Sequence, residues 1–186
     1  MRYLITGGSG SGKSAYAEEL ASSLGLPVYY LATMQAYGEE GKKRVKRHRL
    51  LRSGRNFHTI EKSLAVDEVT IPKESVILLE CLSNLLANEM FDPMGIGAAG
   101  LVEGVLRQVE LLSETTTHLI VVSNDIGFDG ISYDEDTSLY INALGELHAR
   151  LEEGFECVIE VVCGIPLNHK GEKNIYSEDL GAMAPE

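Results

Sequence analysis

The feature that most constrains this chain is a glycine-rich octapeptide near its N-terminus, GGSGSGKS, at residues 7–14. It matches the phosphate-loop pattern G-x-x-x-x-G-K-[ST] at every fixed position. A short apolar run precedes the motif and a segment with helical character follows it, which is the strand, loop and helix context that the motif requires. The sequence therefore predicts an α/β fold of the P-loop NTPase class and a site for a nucleoside triphosphate.

The residues of this loop have distinct expected roles. Glycines let the backbone turn its N–H groups inward, and the N-terminus of the following helix adds its positive dipole end. Lys13 is expected to reach the β- and γ-phosphates and to act in catalysis, and the Ser14 hydroxyl is expected to ligate Mg²⁺. The residues expected to surround the nucleotide phosphates are Gly7, Gly8, Ser9, Gly10, Ser11, Gly12, Lys13 and Ser14. The competing interpretation, a Gly/Ser-rich loop without a ligand, is disfavoured by the position and flanks of the motif.

Length and composition indicate one globular domain. The chain has 186 residues, of which 44% are hydrophobic and 24% are charged, as in ordinary folded domains. We expect a single P-loop NTPase domain over residues 1–170 and a mobile tail over residues 171–186. No apolar run approaches the ~20 residues that cross a bilayer. The chain passes from Met1 directly into a predicted strand, which leaves no room for a signal peptide. A cytoplasmic location is therefore expected.

The cysteines fit the same expectation. Cys81, Cys157 and Cys163 lack the spacing of metal ligands, and two of them lie in apolar runs. We expect all three to be buried free thiols in a reducing compartment.

Charge is distributed unevenly along the chain. The net charge of −12 disfavours nonspecific binding to nucleic acid or to anionic membranes. Half of the 16 lysines and arginines nevertheless fall in one short segment, at Lys42, Lys43, Arg44, Lys46, Arg47, Arg49, Arg52 and Arg55. Such a run fits a solvated helical face, a nucleic-acid patch or a site for an anionic substrate. The nearby phosphate loop and the scarcity of flanking aromatic residues favour a phosphorylated substrate over nucleic acid.

Apolar runs alternate with helical patterns, which predicts a mostly parallel central sheet of five to seven strands flanked by helices. The predicted strands cover residues 3–6, 28–33, 56–61, 75–80, 118–124 and 155–162. The predicted helices cover residues 15–21, 42–52, 81–90, 100–113 and 137–153, with Gly154 as the last C-cap. The segment 164–166 is expected to end the last strand. The acidic loop between residues 125 and 136 is expected to be solvated, and the alternative is a contact with a metal.

One of these predicted strands, residues 75–80, ends in the carboxylate of Glu80. In phosphate-loop enzymes, an acidic residue at the end of a strand contacts Mg²⁺ directly or through water. We therefore expect Glu80 to join Ser14 at a magnesium ion. The alternative is that Glu80 is only the polar end of a strand.

Several motifs taken together resemble one known family. They are TGGSGSGKS at residues 6–14, YLAT at 30–33, RVKRHRLLR at 44–52, HTIE at 58–61, LLECLSNLL at 78–86, VVSNDIG at 121–127 and GIPL at 164–167. The chain thereby resembles the bifunctional adenosylcobinamide kinase / adenosylcobinamide-phosphate guanylyltransferase family of cobalamin biosynthesis, apart from the C-terminal tail. The phosphate loop alone fits many families, whereas the histidine-centred basic segment soon after the second strand is far more specific.

The resemblance implies two reactions on a corrinoid. Members of the family phosphorylate the aminopropanol hydroxyl of adenosylcobinamide and then transfer GMP from GTP onto that phosphate through a histidine-bound GMP. Carried onto this sequence, the histidine is His48, a catalytic residue beside Lys13. The resemblance also implies the cofactors GTP, ATP and Mg²⁺ and a homotrimer with substrate between subunits. Further implied GTP contacts are Ala32, Thr33, Met34, Arg49, Leu50, Leu51, Arg52, Glu61 and Glu80. We assign Glu61 a hydrogen bond with the nucleotide.

The sequence departs from the family pattern after the fourth strong strand. Where the family has an N-E-V-G-x-G-I-V-P type of segment, residues 124–133 read NDIGFDGISY without a proline, and the following helix is also less similar. We expect this region to face the corrinoid, so the departure affects the acceptor more than the GTP chemistry. Whether ATP or GTP serves the kinase step stays open.

Two rival functions stay open at this point. A P-loop kinase of another small alcohol would need Lys13 and Ser14 but not His48, which would then be a solvated histidine. A GTP-binding regulatory or nucleic-acid-binding module would use the basic segment for a partner and show steep salt dependence. A small GTPase is disfavoured because the N-K-x-D guanine signature is missing.

Overall fold

A computed structural model describes residues 1–35, 57–127 and 130–171 of the chain. The predicted basic helix at 42–52 lies outside these residues, as does the predicted tail beyond Gly171. Within the described part, the secondary structure follows the alternation of apolar runs and helical patterns. Helix termini differ from the predicted ones by a few residues.

Seven strands of the described part form one sheet. They are β1 (Arg2–Thr6), β2 (Val28–Ala32), β3 (Phe57–Glu61), β4 (Val76–Glu80), β5 (His118–Val122), β6 (Cys157–Val162) and β7 (Ile165–Lys170). The strand order is β3-β2-β4-β5-β1-β6-β7. Every neighbouring pair is parallel except β6 and β7, which are antiparallel. The predicted single α/β domain of the P-loop class is confirmed.

Helices cover both faces of the sheet. The α-helices are α1 (Lys13–Ser23), α2 (Leu82–Phe91), α3 (Leu101–Thr115) and α4 (Glu135–Gly154), and a short 3₁₀-helix spans Val66–Glu68. Helix α1 packs Tyr16 and Leu20 on one face of the sheet, against a core that includes Ile5. The other helices pack on the opposite face, where Val105 and Leu147 belong to a larger core. Parallel strands buried on both faces have continuous apolar sequences, which explains why they were predictable.

Three boundaries differ from the prediction. The chain does not leave the sheet at residues 164–166 but turns at Gly164 into β7, which pairs with β6. Helix α4 begins at Glu135, earlier than predicted, because the carboxylate of Asp134 accepts hydrogen bonds from the N–H and hydroxyl of Thr137, both at 2.9 Å. Gly154 is the last helical residue and not the C-cap, which is Phe155 in an extended conformation.

The cysteine prediction is correct for two residues and wrong for the third. Cys81 and Cys157 are buried free thiols, whereas Cys163 is exposed in the turn between β6 and β7 with a positive φ of 50°. None of the helices in the described part is long and apolar enough to cross a membrane.

The carboxyl ends of the parallel strands meet at one edge of the sheet. The phosphate loop follows β1 at this edge, and Glu80 ends β4, two positions away in the strand order. Ligands of open α/β sheets bind at this edge, so the fold brings together the residues that form the candidate site.

Candidate functional site

The conformation of the phosphate loop depends on glycine at its first position. Gly7 has φ 149°, and a Cβ added there would lie 2.5 Å from the carbonyl oxygen of Val161 and 2.6 Å from Ser11 Oγ. The loop also packs against the turn that follows β6, because the N–H of Gly164 donates to the carbonyl of Ser11 at 2.8 Å. A side chain at residue 7 would therefore push the loop away from its support.

Lys13 is held inside this loop. Its ammonium donates to the carbonyl of Gly8 at 3.0 Å, and the residue is 7% exposed. Burial lowers the pKa of Lys13, and the nearby Cys81, Glu80 and Asp125 oppose that shift. A buried ammonium among backbone N–H groups is a preorganised partner for phosphate oxygens.

Ser14, at the start of α1, is in contact with Glu80, at the end of β4. The Ser14 hydroxyl donates to Glu80 Oε1 at 2.5 Å. Glu80 Oε2 is buried and, among the described residues, has no hydrogen-bond partner. A buried carboxylate oxygen without a donor favours a cation, and a hydroxyl with one carboxylate is the type of protein ligand set that Mg²⁺ uses with phosphates and water. The residues present therefore fit the expected ion.

This fit needs no larger cluster of ligands. In residues 1–35, 57–127 and 130–171, no group of three or more His, Cys, Asp or Glu could hold a metal ion. A magnesium ion bound with a nucleotide takes most of its ligands from phosphates and water. The acidic loop after residue 125 gives no such group in its described part.

The predicted contact segment at Ala32, Thr33 and Met34 lies at the carboxyl end of β2. Thr33 is fully buried, and its hydroxyl donates to the carbonyl of Cys81 at 2.8 Å and accepts from the Cys81 N–H at 2.7 Å. Its own N–H donates to the carbonyl of Glu80 at 3.0 Å. The Thr33 side chain is thus engaged in holding β2 against the end of β4, whereas Ala32 and Met34 are partly exposed.

Glu61 is far from the phosphate loop. It is an exposed residue at the end of β3, an edge strand that is four strand positions from β1. Strands are about 4.8 Å apart, so these strand ends are separated by about 19 Å. A contact between Glu61 and a nucleotide bound in the loop would have to involve the base or ribose end of that nucleotide.

The remaining predicted site residues lie outside the described part of the chain. These are His48, Arg49, Leu50, Leu51 and Arg52. Their proposed roles rest on the sequence.

A second group of polar residues lies at the same edge. Asp125 belongs to the segment expected to face the corrinoid, but the sequence indicated no individual role for it and no link to Glu160 or His169. The N–H of Asp125 donates to the carbonyl of Gly7 at 3.1 Å, which places Asp125 beside the phosphate loop. On the other side of β1, Glu160 of β6 is hydrogen-bonded to His169 of β7, with 2.9 Å between Oε2 and Nε2. Burial raises the pKa of Asp125, and so does the charge of Glu160, while Lys13 and His169 lower it. Asp125 is partly buried.

Side-chain hydrogen bonds also attach α4 and α2 to the end of β5. His148 Nε2 lies 2.7 Å from the hydroxyl of the fully buried Ser123. Asn124 donates to the Ser83 hydroxyl at 2.8 Å, and the Tyr140 hydroxyl donates to the Ser83 carbonyl at 2.9 Å. Burial lowers the pKa of His148 and raises that of Tyr140 to about 12, so both groups are neutral at pH 7.

Comparison with known proteins assigns this arrangement to a family. Residues 3–169 match the family model described as cobinamide kinase / cobinamide phosphate guanyltransferase. The bifunctional adenosylcobalamin biosynthesis protein CobP of Pseudomonas aeruginosa is 36% identical over 178 residues, which cover 92% of this chain and 99% of that protein. CobU of Escherichia coli is 27% identical over 185 residues, covering 91% of this chain and all of that protein (100%).

Similarity to solved structures is weaker. A Pyrococcus horikoshii protein, PH0250, has a TM-score of 0.49 at 13% identity, covering 94% of this chain and 88% of that one. The RadB recombinase has a TM-score of 0.45 at 12% identity, covering 86% and 73%. The phosphate loop, the placement of Glu80 and the match over nearly the whole chain agree, and the chain belongs to the cobinamide kinase / cobinamide phosphate guanyltransferase family.

Proposed function

We propose that this protein phosphorylates the aminopropanol hydroxyl of adenosylcobinamide and then transfers GMP from GTP to the resulting phosphate through a GMP-histidine intermediate. Membership of the family supports both reactions. The observation that carries the proposal is the convergence of Lys13, Ser14 and Glu80 at one edge of the sheet. The proposed phosphate donors are ATP or GTP for the first reaction and GTP for the second.

The phosphate loop would bind the triphosphate in both reactions. Lys13 would leave the carbonyl of Gly8 for phosphate oxygens, since a charged acceptor makes the stronger hydrogen bond. Ser14 and Glu80 would hold Mg²⁺, which neutralises charge on the phosphates when it is bound. Glu80 Oε2, buried and without a partner among the described residues, supports this role.

In the first reaction, the acceptor hydroxyl oxygen attacks the γ-phosphorus. The new bond joins that oxygen to the γ-phosphoryl group, and the bond between this group and the β-phosphate oxygen breaks. The products are the phosphorylated acceptor, a nucleoside diphosphate and the proton of the hydroxyl. Lys13 stabilises charge on the transferring group as it moves, which is the main form of catalysis available in phosphoryl transfer.

In the second reaction, His48 is the proposed nucleophile. A nitrogen of its neutral imidazole attacks the α-phosphorus of GTP, so that a P–N bond forms and pyrophosphate leaves. A phosphate oxygen of the acceptor then attacks the same phosphorus, the P–N bond breaks and the imidazole is regenerated. The neighbouring cations Arg49 and Arg52 would balance the charge of the triphosphate and of the departing pyrophosphate.

The acceptor would bind on the side where α4 begins. Three apolar residues there are exposed: Ile131 (64%), Tyr133 (38%) and Leu139 (41%). Ile131 and Tyr133 lie in the segment between β5 and α4, and Leu139 lies near the start of α4. An acceptor in contact with them would be at the end of the sheet that carries the phosphate loop. This is also the region where the sequence departs from the family pattern, which makes it the part that would set the choice of corrinoid.

The decisive experiment is an intact-protein mass spectrum after incubation with Mg²⁺ and GTP. The parent protein should gain a GMP-sized, acid-labile adduct, and His48→Ala should not. His58→Ala is the matched control, because His58 is an exposed histidine on β3 that stacks on Tyr29. If the parent binds GTP but forms no adduct, or if His48→Ala still forms it, the guanylyl-transfer mechanism is wrong.

A further inference from the structure

Asp125 lies beside the phosphate loop. It has no role in the two proposed reactions as described so far. It follows β5, the strand that pairs with β1, and its N–H donates to the carbonyl of Gly7 at 3.1 Å. This hydrogen bond fixes the backbone of Asp125 against the first residue of the loop. The residue is partly buried.

The Asp125 carboxylate also lies near enough to Lys13 for its charge to affect the pKa of that ammonium. Among the described carboxylates, Glu80 and Asp125 are the two that raise the pKa of Lys13 against the effect of burial. Glu80 is already engaged, because one of its oxygens accepts from Ser14 and the other is the proposed magnesium ligand. Of these two carboxylates near Lys13, Asp125 is therefore the one that could accept a proton from the acceptor hydroxyl.

Asp125 is also on the proposed acceptor side of the sheet. The charge of Glu160 adds to the effect of burial in raising the pKa of Asp125, and Glu160 alternates along β6 with Ile159 and Val161, which pack against α1. Glu160 therefore points to the opposite face, on which Val158 packs with residues of α4. An acceptor bound against α4 would therefore lie on the same face of the sheet as Glu160.

We propose that Asp125 is the general base of the phosphoryl-transfer reaction. As the acceptor oxygen bonds to the γ-phosphorus and the nucleoside diphosphate leaves, the hydroxyl proton passes to a carboxylate oxygen of Asp125 and then to solvent. The Glu160–His169 pair is a positioning device that sets the charge around this base. The inference rests on the proposed kinase reaction, and it assigns Asp125 no role in the formation of the GMP adduct.

Three side chains from three elements set the protonation of Asp125. Glu160 of β6 raises its pKa in the same direction as burial, whereas Lys13 of α1 and His169 of β7 lower it. A base whose pKa lies closer to the working pH takes a proton more effectively. Glu160 thus favours proton uptake, and Lys13 keeps the carboxylate ionised before the reaction.

The test compares Asp125→Asn with the parent in both reactions. General bases contribute about 10²- to 10⁴-fold, so kcat for phosphorylation of adenosylcobinamide should fall at least about 100-fold. The KM for the nucleotide and the yield of GMP adduct should stay within about threefold, and Asp125→Glu should restore part of the activity. Glu114→Gln is the matched control, because it removes the same charge at an exposed residue in the last turn of α3, just before β5 begins.

A pH profile separates a base from a merely structural residue. Glu160→Gln removes the neighbouring negative charge that raises the pKa of Asp125. The acidic limb of the kinase kcat profile should therefore move to lower pH in this variant. A structural role of Asp125 gives no reason for that limb to move.

Each contrary result has a definite meaning. The inference is wrong if the kinase activity of Asp125→Asn stays within threefold of the parent, or if this variant binds the nucleotide more weakly with kcat unchanged. It is also wrong if Glu160→Gln does not shift the acidic limb of the pH profile of kcat. A parent protein that forms the GMP adduct but does not phosphorylate the hydroxyl overturns the proposed kinase reaction first, and the inference with it.

Discussion

The two sides of the candidate site are held together in different ways. The nucleotide side, residues 7–14 with Glu80, depends on backbone conformation and on close contact between main-chain atoms, as at Gly7 and Val161. The proposed acceptor side, residues 123–125 with α4 and the Glu160–His169 pair, depends on hydrogen bonds between side chains of different elements. A backbone cradle fits phosphate regardless of what the phosphate is attached to, whereas a side-chain network can be altered one residue at a time.

We propose that this difference accounts for the departure from the family pattern that the sequence predicts at residues 124–133. The phosphate loop has little freedom, because most added side chains would change the positions of its N–H groups. On the acceptor side, a substitution changes one contact of α4 and leaves the sheet unchanged. Mutations at the two sides should therefore differ in both size and selectivity.

The largest effect is expected for Lys13→Ala. If both reactions use one phosphate loop, this variant should lower kcat about 10³-fold in each, the upper end for loss of one preorganised donor. Separate assays of phosphoryl transfer and of GMP-adduct formation measure the two effects. Lys73→Ala, at an exposed lysine in the turn before β4, should change neither reaction by more than about twofold.

A loss confined to one reaction would contradict the shared loop. In that case the second nucleotide site would have to lie elsewhere in the chain. The contrast with Asp125→Asn, for which a loss in the kinase reaction alone is expected, then distinguishes the two sides directly.

A smaller effect, on stability, is expected for Gly7→Ala. The added methyl group would meet the carbonyl of Val161 at 2.5 Å, and φ is 149°, so the free energy of unfolding should fall by about 1–3 kcal/mol. Gly8→Ala is the matched control in the same loop, because no atom lies within 4 Å of a Cβ there. Its effect should stay within about 0.5 kcal/mol. Denaturant unfolding of both variants checks the difference, and equal losses would show that the contact with Val161 does not constrain the loop.

The nucleotide side could be predicted from the sequence because its information is local. A contiguous motif specifies the loop, and buried apolar strands such as 76–80 specify the sheet that brings Glu80 to Ser14. Ser14 and Glu80 are 66 residues apart in the sequence, and the strand order brings them together by placing β4 two positions from β1.

The acceptor side could not be predicted in the same way. Strand β7 is an exposed edge strand that contains Pro166, and its sequence lacks the alternating apolar pattern by which strands are recognised. Because β7 was not predicted, the contact between His169 and Glu160 could not be predicted either. His148 meets Ser123 through the packing of α4, and a single polar residue on a helix does not indicate its partner. The one available signal was that residues 123–125 follow a strong strand at the edge where ligands bind.

The smallest effect is expected on the acceptor side, for His148→Gln. The variant loses the hydrogen bond to Ser123, 2.7 Å in the parent, so its free energy of unfolding at pH 7.5 should be lower by about 1 kcal/mol. Burial lowers the pKa of His148 in the folded protein, whereas in the unfolded chain a histidine has a pKa of about 6.5. As the pH falls below that value, the unfolded parent binds a proton that the folded parent does not, and the parent loses stability that the variant keeps. Denaturant unfolding of both proteins between about pH 7.5 and 5.5 should show the gap narrowing. A gap that stays constant would mean that His148 is as easily protonated in the folded protein as in the unfolded chain, and that the contact between α4 and β5 does not depend on a neutral imidazole.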